Sequence, residues 1–305
     1  MNRREFNQLA TGTALASSFL KCNAQDLPAT KQFRFSVMIW TMDASLPVER
    51  CIEIAAEAGY DGVELVGEFK KWSAQDTHRI TAKMRALGLV FDSIAGCKVT
   101  LADPAGSATL VAQIKEHIAV AKELGSPQII LTSGRRMTNL SRKIQHMACI
   151  DNLRHISDLA ADNDIEIVIE PIDLLEDKFA YLNSVSEGFE IVQAVGSKNI
   201  KVLYDFYHEQ RGSGNLIEKL DGNIDWIGLV HIADVPGRHE PGTGEIDYRN
   251  IYRKLAALNY NKFVAMEYYP TGDPMTSLKQ SRLVALQSTR SLPEPYRLWP
   301  AGSVT

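Results

Sequence analysis

Eight short apolar runs, separated by stretches whose apolar residues recur at helical spacing, constrain this chain more than any other feature. The runs are "FRFSVMIW", "GVELV", "LVFDSIA", "QIILTSG", "IEIVIEPID", "IKVLYDFYH", "DWIGLVHIAD" and "KFVAMEYY". They are nearly continuous in apolar residues, the pattern of strands buried on both faces of a parallel sheet. Parallel neighbours need crossovers, and the segments between the runs supply them. "PVERCIEIAAEAGY" is spaced as a helix and stops near Gly59, and further helices are predicted from about 74 to 87, up to about 124, up to about 163 and, last, up to about Arg290. Repeated strand–helix units build either a closed barrel or an open doubly wound sheet. No GxGxxG opens the first helix, so the nucleotide-binding form of the open sheet has no support. The predicted fold is a (β/α)8 TIM barrel in one domain, residues 31–305, for which a chain of 305 residues is long enough.

Residues 1–30 read as a leader. Arg3 and Arg4 precede Phe6 and a weakly apolar run from Leu9 to Leu20 that is too short to span a bilayer. The order of charged, apolar, then small and polar residues is that of a signal peptide and resembles a bacterial twin-arginine export signal. The expectation is a periplasmic protein with no stable membrane span in its mature form, folded before it crosses. Lys21 departs from the small-residue pattern of lipoprotein signals, so lipid anchoring at Cys22 is the lesser reading. Cys22, Cys51, Cys97 and Cys149 form no CxxC pair and are expected to be buried or incidental thiols. A net charge of −4 gives no basic footprint for nucleic acid. The proline-rich tail "SLPEPYRLWPAGSVT" is expected to pack as an irregular segment.

Barrels of this kind place their chemistry at the C-terminal ends of the strands. The fifth run carries Glu170 there, the sixth Asp205, the seventh His231 and the eighth Glu267. A bare carboxylate among apolar strand residues costs several kcal/mol unless paired or metal-bound. Four such groups at one level need a common partner. Three oxygens and one nitrogen suit a hard or borderline divalent ion, Mn²⁺ or Mg²⁺ first and Co²⁺ as a further fit. Just beyond, "HIADVPGRHEPGTGEIDY" crowds ionisable and imidazole groups among prolines and glycines, too dense a cluster for a merely solvated turn.

The motifs "IEPID", "YDFYHEQ", "ADVPGRHEPGTGEI" and "MEYY" resemble the sugar isomerase and epimerase barrels related to xylose isomerase, and within them the hydroxypyruvate isomerase branch. The specific motifs lie between about Glu170 and Tyr268. The resemblance implies that Glu170, Asp205, His231 and Glu267 ligate one ion and that Glu170 and Glu267 also exchange protons with the substrate. It places His208 and Arg238 against substrate oxygens and Glu176 at the substrate's end. A histidine at 231, where hydroxypyruvate isomerases usually carry Gln, is closer to the ketose 3-epimerases.

Moving a carbonyl along a carbon chain means removing a proton beside it and stabilising an enediolate, work that a divalent ion and a positioned carboxylate perform together. The leading expectation is isomerisation of hydroxypyruvate to tartronate semialdehyde. A ketose 3-epimerase or an inosose isomerase or epimerase would share the metal site, and a carbohydrate-binding barrel without turnover is a third reading. The partner is a small hydroxy-carbonyl or sugar molecule, and a homo-oligomer is compatible with the pattern. Among the remaining residues, Glu64 is expected to support the ligands or to form a buried ion pair, and His239 and Glu240 to pin the loop. Trp40 and Trp72 are expected in the core, His78 and His117 in solvent, and "RGSGN" as a turn.

Overall fold

A computed structural model describes residues 33–43 and 45–290. The leader, with Arg3, Arg4 and Cys22, and the proline-rich tail lie outside the described residues. The strands are β1 (Arg34–Met38), β2 (Gly62–Leu65), β3 (Val90–Ile94), β4 (Gln128–Thr132), β5 (Glu166–Glu170), β6 (Ile200–Asp205), β7 (Ile227–Ile232) and β8 (Phe263–Met266). All are parallel, and β1 pairs with both β2 and β8, which closes the barrel. Around it run α1 (Val48–Glu57), α2 (Ala74–Ala86), α3 (Ser107–Leu124), α4 (Arg142–Ala161), α5 (Val185–Val195), α6 (Phe206–Gly212), α7 (Tyr248–Ala257) and α8 (Pro274–Arg290). The (β/α)8 barrel expected from the sequence is the observed fold.

Ile130, Val168, Leu203, Leu229, Phe263 and Ala265 form a packed cluster separate from the larger core under the helices. All six come from the five successive strands β4 to β8, so the cluster is the interior layer of the barrel. Each buried aliphatic side chain there contributes about 1.5–3 kcal/mol relative to exposure. Side chains alternate along a strand with period two. The next inward positions after Val168, Leu203, Leu229 and Ala265 are therefore Glu170, Asp205, His231 and Glu267. One apolar layer thus serves as the floor for four polar groups.

Three expectations need correction. "FYH" does not extend the sixth strand: Oδ1 of Asp205 accepts the backbone N–H groups of Tyr207 (2.7 Å) and His208 (3.3 Å), capping α6 and turning the chain at once. Trp40 is outside the core, 37% exposed, with its ring edge-on to Tyr269 at the barrel mouth. Trp72 does pack partly buried against the core, near Phe91. His117 is buried rather than solvated: Nδ1 lies 2.9 Å from the Gln113 carbonyl, and its ring meets Phe69 edge-on. Its helical position puts it on the inner face of α3, beside Ile114 and Ile118. His78 is exposed. Cys51 and Cys149 are buried free thiols and Cys97 is half-buried.

Candidate metal centre

Glu170, Asp205, His231 and Glu267 converge, all buried, with one ligand atom from each lying within 4.8 Å of the others. Adjacent strands set this spacing, since Asp205 and His231 are direct register partners across β6 and β7. Four donors about 2.1 to 2.4 Å from a common centre stand at most about 4.8 Å apart. The cluster therefore suits one ion with little rearrangement. Asp205 gives a second indication. Its Oδ1 is spent on the helix cap, while its Oδ2 is buried without a hydrogen-bond partner. A buried carboxylate oxygen that lacks a hydrogen bond, with only longer approaches from His208 at 3.5 Å and Arg238 at 3.7 Å, is what an oxygen-favouring cation would satisfy.

Electrostatics distinguish the two glutamates. Burial, and then repulsion from Glu267, push Glu170 up to about 7. Burial also acts to raise Glu267, but Arg238 and His231 outweigh it and hold Glu267 at about 2. The contacts are direct: Nη2 of Arg238 is 2.7 Å from Oε1 of Glu267, and Nδ1 of His231 is 2.7 Å from its Oε2. His231 is fully buried; that burial opposes its charge, yet Glu64 and Glu267 raise it well above the usual imidazole range. The side chains of the site thus form a network of buried ion pairs, costly unless an ion or a substrate uses it.

Arg238 reaches this network from the loop after β7, where its own backbone is left-handed, φ 57°. Its guanidinium lies 5.0 Å over the Tyr207 ring, 3.7 Å from Asp205 and 3.7 Å from Glu176. His208, on the first turn of α6, turns Nε2 toward Asp205 at 3.5 Å and gives Nδ1 to Asp173 at 2.7 Å. Burial lowers its basicity, but Asp205 and Asp173 more than offset this and raise it to about 9. Glu176 is the outermost of the candidate residues, exposed on the loop after β5 and paired with Arg211 at 3.0 Å. All seven candidate residues are therefore linked through one cluster, with the four candidate ligands at its base and Glu176 at its rim.

The sequence reading missed Asp173, Arg211 and Tyr207. Asp173 holds both His208 and, at 3.3 Å, Arg211, whose guanidinium stacks over the face of Tyr207 from 4.8 Å. Asp173 closes the quoted motif "IEPID", so its place just past a strand end was a usable signal. Asp234 was counted in the dense loop without a role. Its two oxygens accept the backbone N–H groups of Val235, Ile246, Gly242 and Gly244, which folds the whole loop around one carboxylate. His239 and Glu240 do pin the loop, through the Tyr269 carbonyl and Thr271.

A closed parallel barrel with acidic and imidazole side chains gathered at its strand ends defines a TIM barrel with a candidate metal site at its mouth. The chain belongs to the family of xylose isomerase-like TIM barrels, which matches residues 52–287. It is 30% identical over 225 residues to the hydroxypyruvate isomerase of Escherichia coli (strain K12), covering 72% of this chain and 86% of that protein. It is also 30% identical over 251 residues to a 2-oxo-tetronate isomerase of Haemophilus influenzae, covering 80% and 96%. Among solved structures, an AP endonuclease, family 2, from Brucella melitensis superposes with a TM-score of 0.71 at 26% identity, covering 80% of this chain and 96% of that one.

Proposed function

We propose that this chain is a divalent-metal-dependent isomerase of a short 2-oxo acid, with hydroxypyruvate to tartronate semialdehyde as the leading reaction. The observation that carries this reading is the convergence of Glu170, Asp205, His231 and Glu267 beneath the buried guanidinium of Arg238. The names of the two curated relatives support the reaction class and an acid substrate. An ion held by the four candidate ligands, with Mn²⁺ or Mg²⁺ the best chemical match and Co²⁺ a further one, would supply positive charge where the enediolate's oxygens develop negative charge.

The chain's own residues account for the rest. Glu170, held near neutrality, is suited to take and return a proton at pH 7. Glu267, held strongly acidic by Arg238 and His231, is suited to remain a carboxylate. An isomerase needs one base that returns the proton to the neighbouring carbon on the same face, and this unequal pair meets that need. An epimerase needs two groups trading roles across the plane. His208, charged through Asp205 and Asp173, faces the same space and can donate to a substrate oxygen. Arg238 offers the planar fork that suits a carboxylate, and Glu176 sits where it can orient the far end of the substrate.

A ketose 3-epimerase or inosose-type activity is the second reading, favoured by the imidazole at 231. A sugar-binding barrel without turnover is the third, and the intact four-ligand cluster counts against it. A nucleic-acid substrate gains no support from a net charge of −4. The test is turnover by the purified protein, with Mn²⁺, of hydroxypyruvate, four-carbon 2-oxo acids, ketoses and inososes. Turnover of ketoses alone would replace the first reading with the second.

A further inference from the structure

His231 has two ring nitrogens, and they face different neighbourhoods. Nδ1 lies 2.7 Å from Glu267 and 3.8 Å from Glu170, so it is the nitrogen that faces the other candidate ligands. Nε2 points the opposite way, to Glu64, at 3.3 Å from Oε1 and 3.1 Å from Oε2. Glu64 comes from β2, five strands before the β7 that carries His231, and both residues are fully buried. Nδ1 can ligate an ion only when the ring's proton sits on Nε2, and that proton then needs an acceptor.

Glu64 is itself braced. Its Oε1 accepts from Ser93, 3.0 Å away. Beside it the pairing of β2 with β3 slips by one residue, from Val63 with Phe91 to Glu64 with Ser93, leaving Asp92 as the extra residue of a bulge. Asp92 is fully buried and accepts from Ser36 at 2.7 Å. Burial, and then the adjacent Glu64, push Asp92 well above the usual carboxylate range. A bulge next to a site is a common means of re-aiming a side chain.

We propose that Glu64 is a positioning residue for this site: by accepting the Nε2–H of His231 it fixes the ring's tautomer and turns Nδ1 to the ion. The proposal rests on reading the four-residue cluster as a metal centre. It differs from a plain buried ion pair in one respect, because an ion pair would support the fold whatever residue served as ligand.

The test is Co²⁺ titration of the full-length, metal-stripped protein and its variants. Glu64→Gln is expected to raise the Co²⁺ Kd by about 10- to 100-fold. In a His231→Gln background, where no imidazole remains to be oriented, the same change is expected to cost less than about twofold, as a double-mutant cycle would record. If Glu64→Gln does not fold, Glu64→Asp draws the carboxylate back by one methylene and is expected to show the same pattern. Equal loss in both backgrounds, or no loss in either, would overturn the positioning role. Failure of the wild-type protein to bind Co²⁺ would overturn the metal-centre reading, and the role with it, before any variant is compared.

Discussion

Nδ1 of His208 lies 2.7 Å from Oδ2 of Asp173, and both side chains are buried. That contact sets the direction of the other nitrogen, Nε2, toward Asp205, 3.5 Å away. Asp173→Asn removes a charge-assisted partner worth about 1.5–3 kcal/mol, so kcat/KM is expected to fall roughly 10- to 150-fold. Steady-state kinetics at saturating Mn²⁺ would check this, and a value within about twofold of wild type would remove Asp173 from the machinery.

The same pair gives a pH signature. His208 is raised from 6.5 to about 9 in the folded protein. A group whose folded pKa lies above its unfolded value stabilises the fold fully below the unfolded value and loses that contribution as pH rises through the folded one. In metal-free protein, the stability difference between wild type and His208→Gln should be largest below pH 6.5 and shrink as pH approaches about 9. Urea melts at several pH values would show it. A gap that widens with pH would contradict the charged His208.

Ion binding should depend on pH through Glu170, which in the metal-free protein sits at about 7. Below that pH an incoming ion must displace a proton, so affinity through this one group falls up to about tenfold per pH unit. Isothermal titration with Mn²⁺ between pH 6 and 8 would measure the slope, and Glu170→Gln should flatten it while raising Kd. Saturation at about 100 times Kd should stabilise the wild-type fold by about 2.7 kcal/mol.

Arg238→Ala strips Glu267 of its 2.7 Å partner inside the site. Breaking a buried pair from one side costs about 3–5 kcal/mol of stability, and a bound ion should recover part of it. Activity on a 2-oxo acid is expected to fall about 10- to 150-fold, because a charge-assisted contact to the substrate carboxylate is lost. An equal loss on neutral ketoses would show that Arg238 acts through Glu267 rather than through the substrate.

We also propose that the leader exports the folded protein. Arg3→Lys combined with Arg4→Lys should trap precursor in the cytoplasm. Fractionation of cells expressing the double variant checks this, and undiminished periplasmic protein would exclude the twin-arginine route.

The barrel was legible because eight apolar runs have few other ways to bury both faces. The candidate ligands stood out because Glu170, Asp205, His231 and Glu267 interrupt those runs at their ends, where an uncompensated charge would be costly, and the fold brings the four together. What sequence left open were relations between distant segments. Glu64 could be named as a supporting group, but its orientation toward Nε2 depends on β2 and β7 facing each other across the barrel. Asp173 and Arg211 meet only because α6 begins directly at Asp205, a cap that a reading of "YDFYH" as strand obscures. The burial of His117 was hidden by its solitary place in an ordinary helix, where nothing marks which face turns inward.

Asp234 holds its loop almost entirely through backbone N–H groups, at Val235, Gly242, Gly244 and Ile246. Every residue except proline offers that donor. Only a few positions are bound by shape, such as Gly244, whose added Cβ would come within 2.0 Å of the Val235 carbonyl oxygen. The loop can therefore exchange many of its side chains and keep its path. The strand-borne candidate ligands stand on a separate scaffold, the apolar layer inside the barrel. Arg238, which this loop carries into the cluster, is thus held on a path that owes little to its neighbours' side chains beyond that of Asp234.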